Sequence, residues 1–193
     1  FVARNRKQVL GIMVAGSSML VTLAAFLAYN YITVRNSGNT DPMLFTAALS
    51  WFKPLHIQYA VGVDGVSVVM LCLSAVIVFT GTFVSWKMAP LTKEFFLWFS
   101  LLATGVFGFF ISLDLFTLFL FYETALIPMY LLIGVWGSGR KEYSAMKLTL
   151  MLMGSSMILL VGILGIYFGS GATSMHISEL AQHPMPVEIC MLV

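Results

Sequence analysis

The chain has 193 residues, of which 60% are hydrophobic and only 9% charged, with a mean hydropathy of +0.95. Soluble domains carry about 25% charged residues, so this composition excludes a water-soluble globular protein and points to an integral membrane protein of helices. The net charge of +2 is too small to argue for a nucleic-acid partner, and the ten basic residues matter for where they fall.

In chain order, uninterrupted apolar runs predict a first span at 9–34 and a second at 61–86, with a fifth at 145–168. Between them lies one long run, Phe95 to Trp136, broken only by Asp114 and Glu123. As a single helix it would extend roughly 63 Å, about twice the hydrocarbon thickness. It must turn once, and Asp114 in ISLDLF divides it into two pieces of spanning length, 95–113 and 115–136. A carboxylate is more easily solvated at the headgroups than inside, so Asp114 is expected at the surface. A sixth span is expected to begin near 186, in PVEICMLV, without room to finish. The sequence opens at Phe1 on a basic stretch, Arg4, Arg6 and Lys7, and shows no cleavable signal peptide. The expectation is a single all-α membrane domain over 1–193, a polytopic transmembrane helix bundle that is a fragment of a larger protein.

Alternating the loops between two sides places Arg4, Arg6, Lys7, Lys87, Lys93, Arg140, Lys141 and Lys147 on one side and only Arg35 and Lys53 on the other. The positive-inside rule makes the first side cytoplasmic. The stretch 35–60, with Trp51, Phe52 and Tyr59 among polar residues, is expected at the outer interface.

Every charged residue except Glu123 then falls in a loop or at a helix end. Glu123 is nine residues from Asp114 and thirteen from Trp136, or roughly 13 Å and 20 Å along a helix. An isolated carboxylate near mid-membrane costs at least about 2.5 kcal/mol even on the gentler insertion scales, so it should face the bundle interior, a water-filled cavity or a partner charge. Pro128 lacks an N–H and leaves the carbonyl of Thr124, next to Glu123, without its helical donor. Two readings fit: a proton-relay carboxylate, or a protonated, hydrogen-bonded structural glutamate.

The stretch FYETALIPMYLLIGVWGSGRKEYSAMK, residues 121–147, resembles the signature of the antiporter-like proton-pumping membrane subunits of respiratory complex I, NADH:quinone oxidoreductase, most closely the chain M type. The matching pieces are F-x-E, L-I-P-M-Y, I-G-x-W-G, a basic loop and a lysine at the head of the next helix; VGVDGVSV at 61–68 and LDLFTLFLFYE also match. The resemblance implies a subunit of about fourteen helices in two inverted repeats, in which a helix glutamate pairs with lysines on neighbouring helices. Glu123 falls on that glutamate and Lys147 on the lysine of the following helix; Lys147 also fits a lysine snorkelling to the cytoplasmic end. The family's next lysine is expected beyond Val193.

On this resemblance the chain is a proton-translocating, hetero-oligomeric subunit that contacts other membrane subunits and lipid. It would be an enzyme subunit without a redox centre, in a bacterial inner membrane or, alternatively, the mitochondrial inner membrane. The alternative function is a subunit of a multisubunit cation/proton antiporter or membrane-bound hydrogenase of the same superfamily. No glycine-rich phosphate loop or cysteine cluster occurs, so no cofactor or metal is expected in this chain; NADH, FMN, iron–sulfur clusters and quinone are expected in partner subunits. Asp64 precedes an apolar run as an N-cap would, and His56, His176 and His183 fall in outer loops. Cys72 and Cys190 read as small apolar residues, and the thirteen methionines as lipid-facing or packing residues.

Overall fold

The structure is a computed structural model that describes residues 6–38, 41, 43–52, 57–87, 92–170 and 175–180. Its architecture is set by five apolar helices, each long enough to cross a bilayer. These are α1 (Arg6–Asn36), α2 (Gly65–Val84), α3 (Thr92–Ile111), α4 (Leu115–Trp136) and α5 (Lys141–Ser170). In chain order α1 packs on α2, α3 on α4 and α4 on α5. The chain is an integral membrane protein. The sixth span, Cys190, His56 and His183 lie outside the described residues.

Helices dominate because lipid offers no partner for backbone polar groups, and a helix satisfies its own. The hydroxyls on these spans follow the same constraint. Thr80, Thr82, Thr104 and Ser155 each donate to a carbonyl one turn back, at 2.8–3.0 Å.

Between α1 and α2, in the stretch expected at the outer interface, the chain forms an antiparallel hairpin, β1 (Leu44–Phe52) and β2 (Ile57–Val63). The second membrane helix consequently begins at Gly65 rather than at 61. Its start is fixed by Asp64, whose carboxylate accepts from the Ser67 amide at 2.7 Å. That N-cap was legible in the sequence.

The hairpin does not stand alone. β2 pairs with β1 along one edge and, at Val61, with Ser112 along the other; the Leu113 amide donates to the Ala60 carbonyl at 2.9 Å. On the far side of the same α3–α4 turn, the Leu115 amide donates to the Met175 carbonyl and the Ile177 amide to the Leu113 carbonyl. The turn is thus held between the hairpin and residues 175–177. Gly62 packs closely here, since a Cβ at that position would lie 2.6 Å from Leu113 Cδ1 and the Leu113 side chain would have to shift.

Asp114 is a correction to the sequence reading. It is 0% exposed rather than at the surface, and it is the N-cap of α4, accepting from the Phe116 and Thr117 amides at 3.0 and 3.2 Å. Its solvent is protein: strand β2 and the 175–177 segment cover it, and helix N-terminal N–H groups replace water.

The hairpin, the α3–α4 turn and residues 175–177 meet at one end of the bundle, which places Arg140 and Lys141 at the other. Ser138→Cys should therefore react with a membrane-impermeant maleimide from the basic side only, and Ser37→Cys from the opposite side only. Labelling of both from one side would overturn this arrangement.

The Ser67 hydrogen bond, its largest cause, holds the Asp64 pKa below its ordinary value of 3.8. A carboxylate depressed in the folded state contributes stability above its unfolded pKa, and loses it as pH falls through the folded value. Asp64→Ala should cost about 1 kcal/mol near neutral pH and less once the carboxylate is protonated, when only a neutral acceptor oxygen is lost. Thermal unfolding in detergent at neutral and strongly acidic pH measures this difference.

Candidate functional site

Helix α4 carries the candidate carboxylate. Its position follows from the Asp114 cap: with the helix starting at Leu115, Glu123 is carried roughly 13 Å inward. On α4, Gly105 and Gly108 of α3 admit close neighbours. A Cβ on Gly105 would sit 2.9 Å from the Ala125 Cβ, and one on Gly108 would collide with the Phe121 ring. These contacts press the face bearing Phe121 and Ala125 against α3. Tyr59 of β2 covers Phe121 from the outer end, with ring centroids 6.2 Å apart.

Glu123 turns toward α5 instead. It lines a groove of about 400 Å³ together with Thr124, Ile127 and Tyr130 of α4 and Thr149 and Met153 of α5. Its Oε1 is buried and has no hydrogen-bond partner; it is the one such side-chain atom among the described residues. Leaving a buried polar group unsatisfied costs about 1–3 kcal/mol, and more when it is charged. Pro128 is buried two turns from the helix end. Thr124 donates its hydroxyl to the Leu120 carbonyl at 2.8 Å, so it does not serve Glu123.

At the basic end α4 and α5 are in contact. Gly134 faces Ala145, which is 0% exposed; a Cβ on the glycine would lie 3.7 Å from the alanine Cβ. Beyond it the Gly137 amide donates to the Ile133 carbonyl at 3.0 Å, and Lys141 Nζ reaches the Val135 carbonyl at 2.6 Å. A cation at a helix C-terminus offsets the partial negative charge of the last carbonyls.

With Gly134 opposite Ala145, the antiparallel helices place Lys147 level with Leu132. That is nine residues, or roughly 13 Å, from Glu123 along the axis. Lys147 is exposed, and the structure does not bring it against Glu123. Thr149 is level with Tyr130 by the same pairing, and both line the Glu123 groove. Sequence reading missed these two residues, since each is one polar group in an apolar helix and only the antiparallel packing sets them on one surface. His176 is paired through its backbone with Asp114 at the outer end, and Cys72 Sγ contacts the Ala24 carbonyl at 3.6 Å. Among the described residues no group of three or more His, Cys, Asp or Glu side chains could hold a metal.

The chain is a polytopic membrane helix bundle with a carboxylate, its buried Oε1 unpartnered, in the middle of one span that also carries a proline. Known proteins agree. A respiratory complex I from Thermus thermophilus with bound NADH contains a chain that superposes with a TM-score of 0.78 at 21% identity, over 92% of this chain and 35% of that one. Residues 112–192 match the family described as NADH:quinone oxidoreductase/Mrp antiporter, TM.

Among similar proteins, the NAD(P)H-quinone oxidoreductase chain 4-2 of Synechocystis is 28% identical over 88% of this chain and 30% of its own length. NADH-quinone oxidoreductase subunit M of Rhodobacter capsulatus is 30% identical over 81% of this chain and 30% of its own. The chain thus spans about a third of the length of the relatives it matches.

Asp114→Ala would leave two amides of a fully buried helix start without their acceptor. It should destabilise the protein by about 2 kcal/mol, whereas Asp114→Asn, which keeps an acceptor oxygen, should cost less. Thermal unfolding of the purified protein compares the two; equal losses would show that the carboxylate's charge, and not its cap, is what the turn needs.

Proposed function

We propose that the chain is a proton-translocating membrane subunit of an NADH:quinone oxidoreductase, working in a hetero-oligomer with other membrane subunits. The observation that carries this reading is the Glu123 carboxylate, mid-span, with Oε1 buried and unpartnered. A group that only stabilised the bundle would be expected to have its lone pairs satisfied. A group that takes and releases protons must instead stay reachable and keep an acceptor free.

In this reading quinone reduction, with its NADH, FMN and iron–sulfur clusters, takes place in partner subunits. This chain contributes the carboxylate that is protonated and deprotonated. Lys147, exposed at the head of α5, acts as a cation near the basic mouth rather than as a direct ion-pair partner of Glu123. A cation/proton antiporter subunit is the second reading, since the family matched by residues 112–192 is described for both. Co-purifying subunits separate the two: iron–sulfur and quinone-reductase partners support the first, small antiporter partners the second.

Glu123→Gln keeps the shape and hydrogen-bonding capacity of the side chain but cannot ionise. The complex should assemble while proton pumping falls at least tenfold. Glu123→Asp should retain part of the activity, because the carboxylate survives one methylene back. Pumping is read as pH-gradient formation per NADH oxidised in vesicles, with assembly followed on a native gel. Full pumping by an assembled Glu123→Gln complex would make the glutamate a packing residue.

A further inference from the structure

Helices α1 and α3 run in the same direction and meet near both of their ends. At the basic end Val9 and Leu10 of α1 pack with Phe95 and Phe96 of α3. At the outer end Leu27 and Tyr31 of α1 share a cluster with Phe107 and Ile111 of α3. Between these contacts the two helices part and leave a cleft of about 520 Å³. Ile12 and Gly16, both exposed, form its mouth, and Ser17 and Ala103, both buried, its back wall.

The cleft has the length of one hydrocarbon chain. Along α3 its lining runs from Ser100 to Ile111, roughly 16 Å at 1.5 Å per residue. That is about half the 30 Å thickness of a bilayer's hydrocarbon core. Because α3 ends at Ile111, beside the outer turn, the half in question is the outer leaflet. Tyr59 lines the outer end of the cleft, at the depth where tyrosine rings sit among lipid headgroups. A helix 10–12 Å wide would occupy on the order of 1,200 Å³ over the same length, more than twice the space present.

The walls also decide what chemistry fits. Ser17 donates to the Val14 carbonyl at 3.1 Å, Ser100 to the Phe96 carbonyl at 2.8 Å, with Met13 Sδ 3.5 Å away, and Thr104 to the Ser100 carbonyl at 3.0 Å. Each of these hydroxyls is spent on its own helix, so the α1 and α3 walls ask no hydrogen bond of an occupant. Apolar spaces of this kind stay dry and take up apolar molecules, which gain by close contact with the lining. At the mouth, a Cβ on Gly16 would meet nothing within 4 Å, so the glycine leaves the entrance open to lipid.

We propose that the cleft between α1 and α3 binds one acyl chain of an outer-leaflet phospholipid, with the ester end beside Tyr59 and the methyl end near Met13 and Ser100. The site lies on the α3 side of α4, against Phe121 and away from the groove that Glu123 lines. It therefore stands independently of any proton-carrying role for that residue.

The test is photolabelling of the intact complex in vesicles of phosphatidylcholine and phosphatidylethanolamine that contain a phospholipid with a diazirine midway along one acyl chain. One sample is irradiated in the vesicles and a second after washing in excess mild detergent, and adducts are located by peptide mass spectrometry. The apolar surface of α5, where Leu150, Ile158 and Val161 are 64%, 76% and 70% exposed, reports freely exchanging lipid. Both regions should be labelled in the vesicles. After washing, adducts on residues 13–20 and 100–108 should persist while those on α5 fall several-fold.

Gly16→Leu puts a side chain into the cleft and should lower its adducts several-fold. Gly154→Leu, at an α5 glycine with equally open surroundings, should leave them unchanged, with assembly of both checked on a native gel. The washing comparison needs no variant. Cleft adducts that wash out as readily as those on α5 would overturn the site, as would unchanged labelling in an assembled Gly16→Leu complex. So would their absence in the vesicles, which would mean that a protein segment fills the space. Displacement by excess quinone but not by excess unlabelled phospholipid would make the occupant an isoprenoid tail and overturn the lipid assignment.

Discussion

Backbone amides beside hydrocarbon must find partners within the protein, and at the Ser112–Asp114 turn they do so from two directions. Strand β2 takes one side through Ala60 and Val61, residues 175–177 take the other, and the Asp114 carboxylate takes the first amides of α4. Each of these bonds fixes where α4 begins. Because a helix advances a constant distance per residue, the start at Leu115 also decides how deep Glu123 sits. A carboxylate placed one turn nearer the end could reach the headgroups; at this depth it cannot.

Packing then decides what Glu123 meets. Glycines on α3 let α4 approach closely on the Phe121 and Ala125 side, which leaves little space there for water or a side chain. Toward α5, Gly134 faces the buried Ala145 at the basic end with room for a methyl group between them. Farther in, the pair leaves the groove that Glu123 lines. Small residues let α3 and α4 touch where the structure must be firm, while the α4–α5 pair leaves a recess lined mostly by apolar side chains around Glu123. Pro128 lacks an N–H and so leaves the carbonyl of Thr124, the residue after Glu123, without its helical donor.

Much of this was written in local chemistry. Five spans, the turn at Asp114, the cap at Asp64 and the clustering of basic residues at one end all follow from runs of apolar residues and the positions of charges, since partition between water and hydrocarbon acts on each segment separately. The hairpin was less legible. LFTAALSWF and IQYAVGV are rich in β-branched and aromatic residues, but their aromatic and polar mixture also suits a membrane interface. What makes β2 a strand is its second edge, the backbone of Ser112 and Leu113, some fifty residues later in the chain.

The sequence alone determined that this protein lives in a membrane, where the five apolar helices among the described residues fall and that Glu123 lies deep in one of them. Only the tertiary structure decided that Asp114 is buried, that Lys147 stands roughly 13 Å along the axis from Glu123, and that Tyr130 and Thr149 share its groove. The physical reason is that hydropathy and capping are properties of a segment and its solvent, read within a few residues. Burial of a turn, and the register between two antiparallel helices, are instead set by contacts between segments, here a glycine against an alanine eleven residues away and a strand against a distant turn.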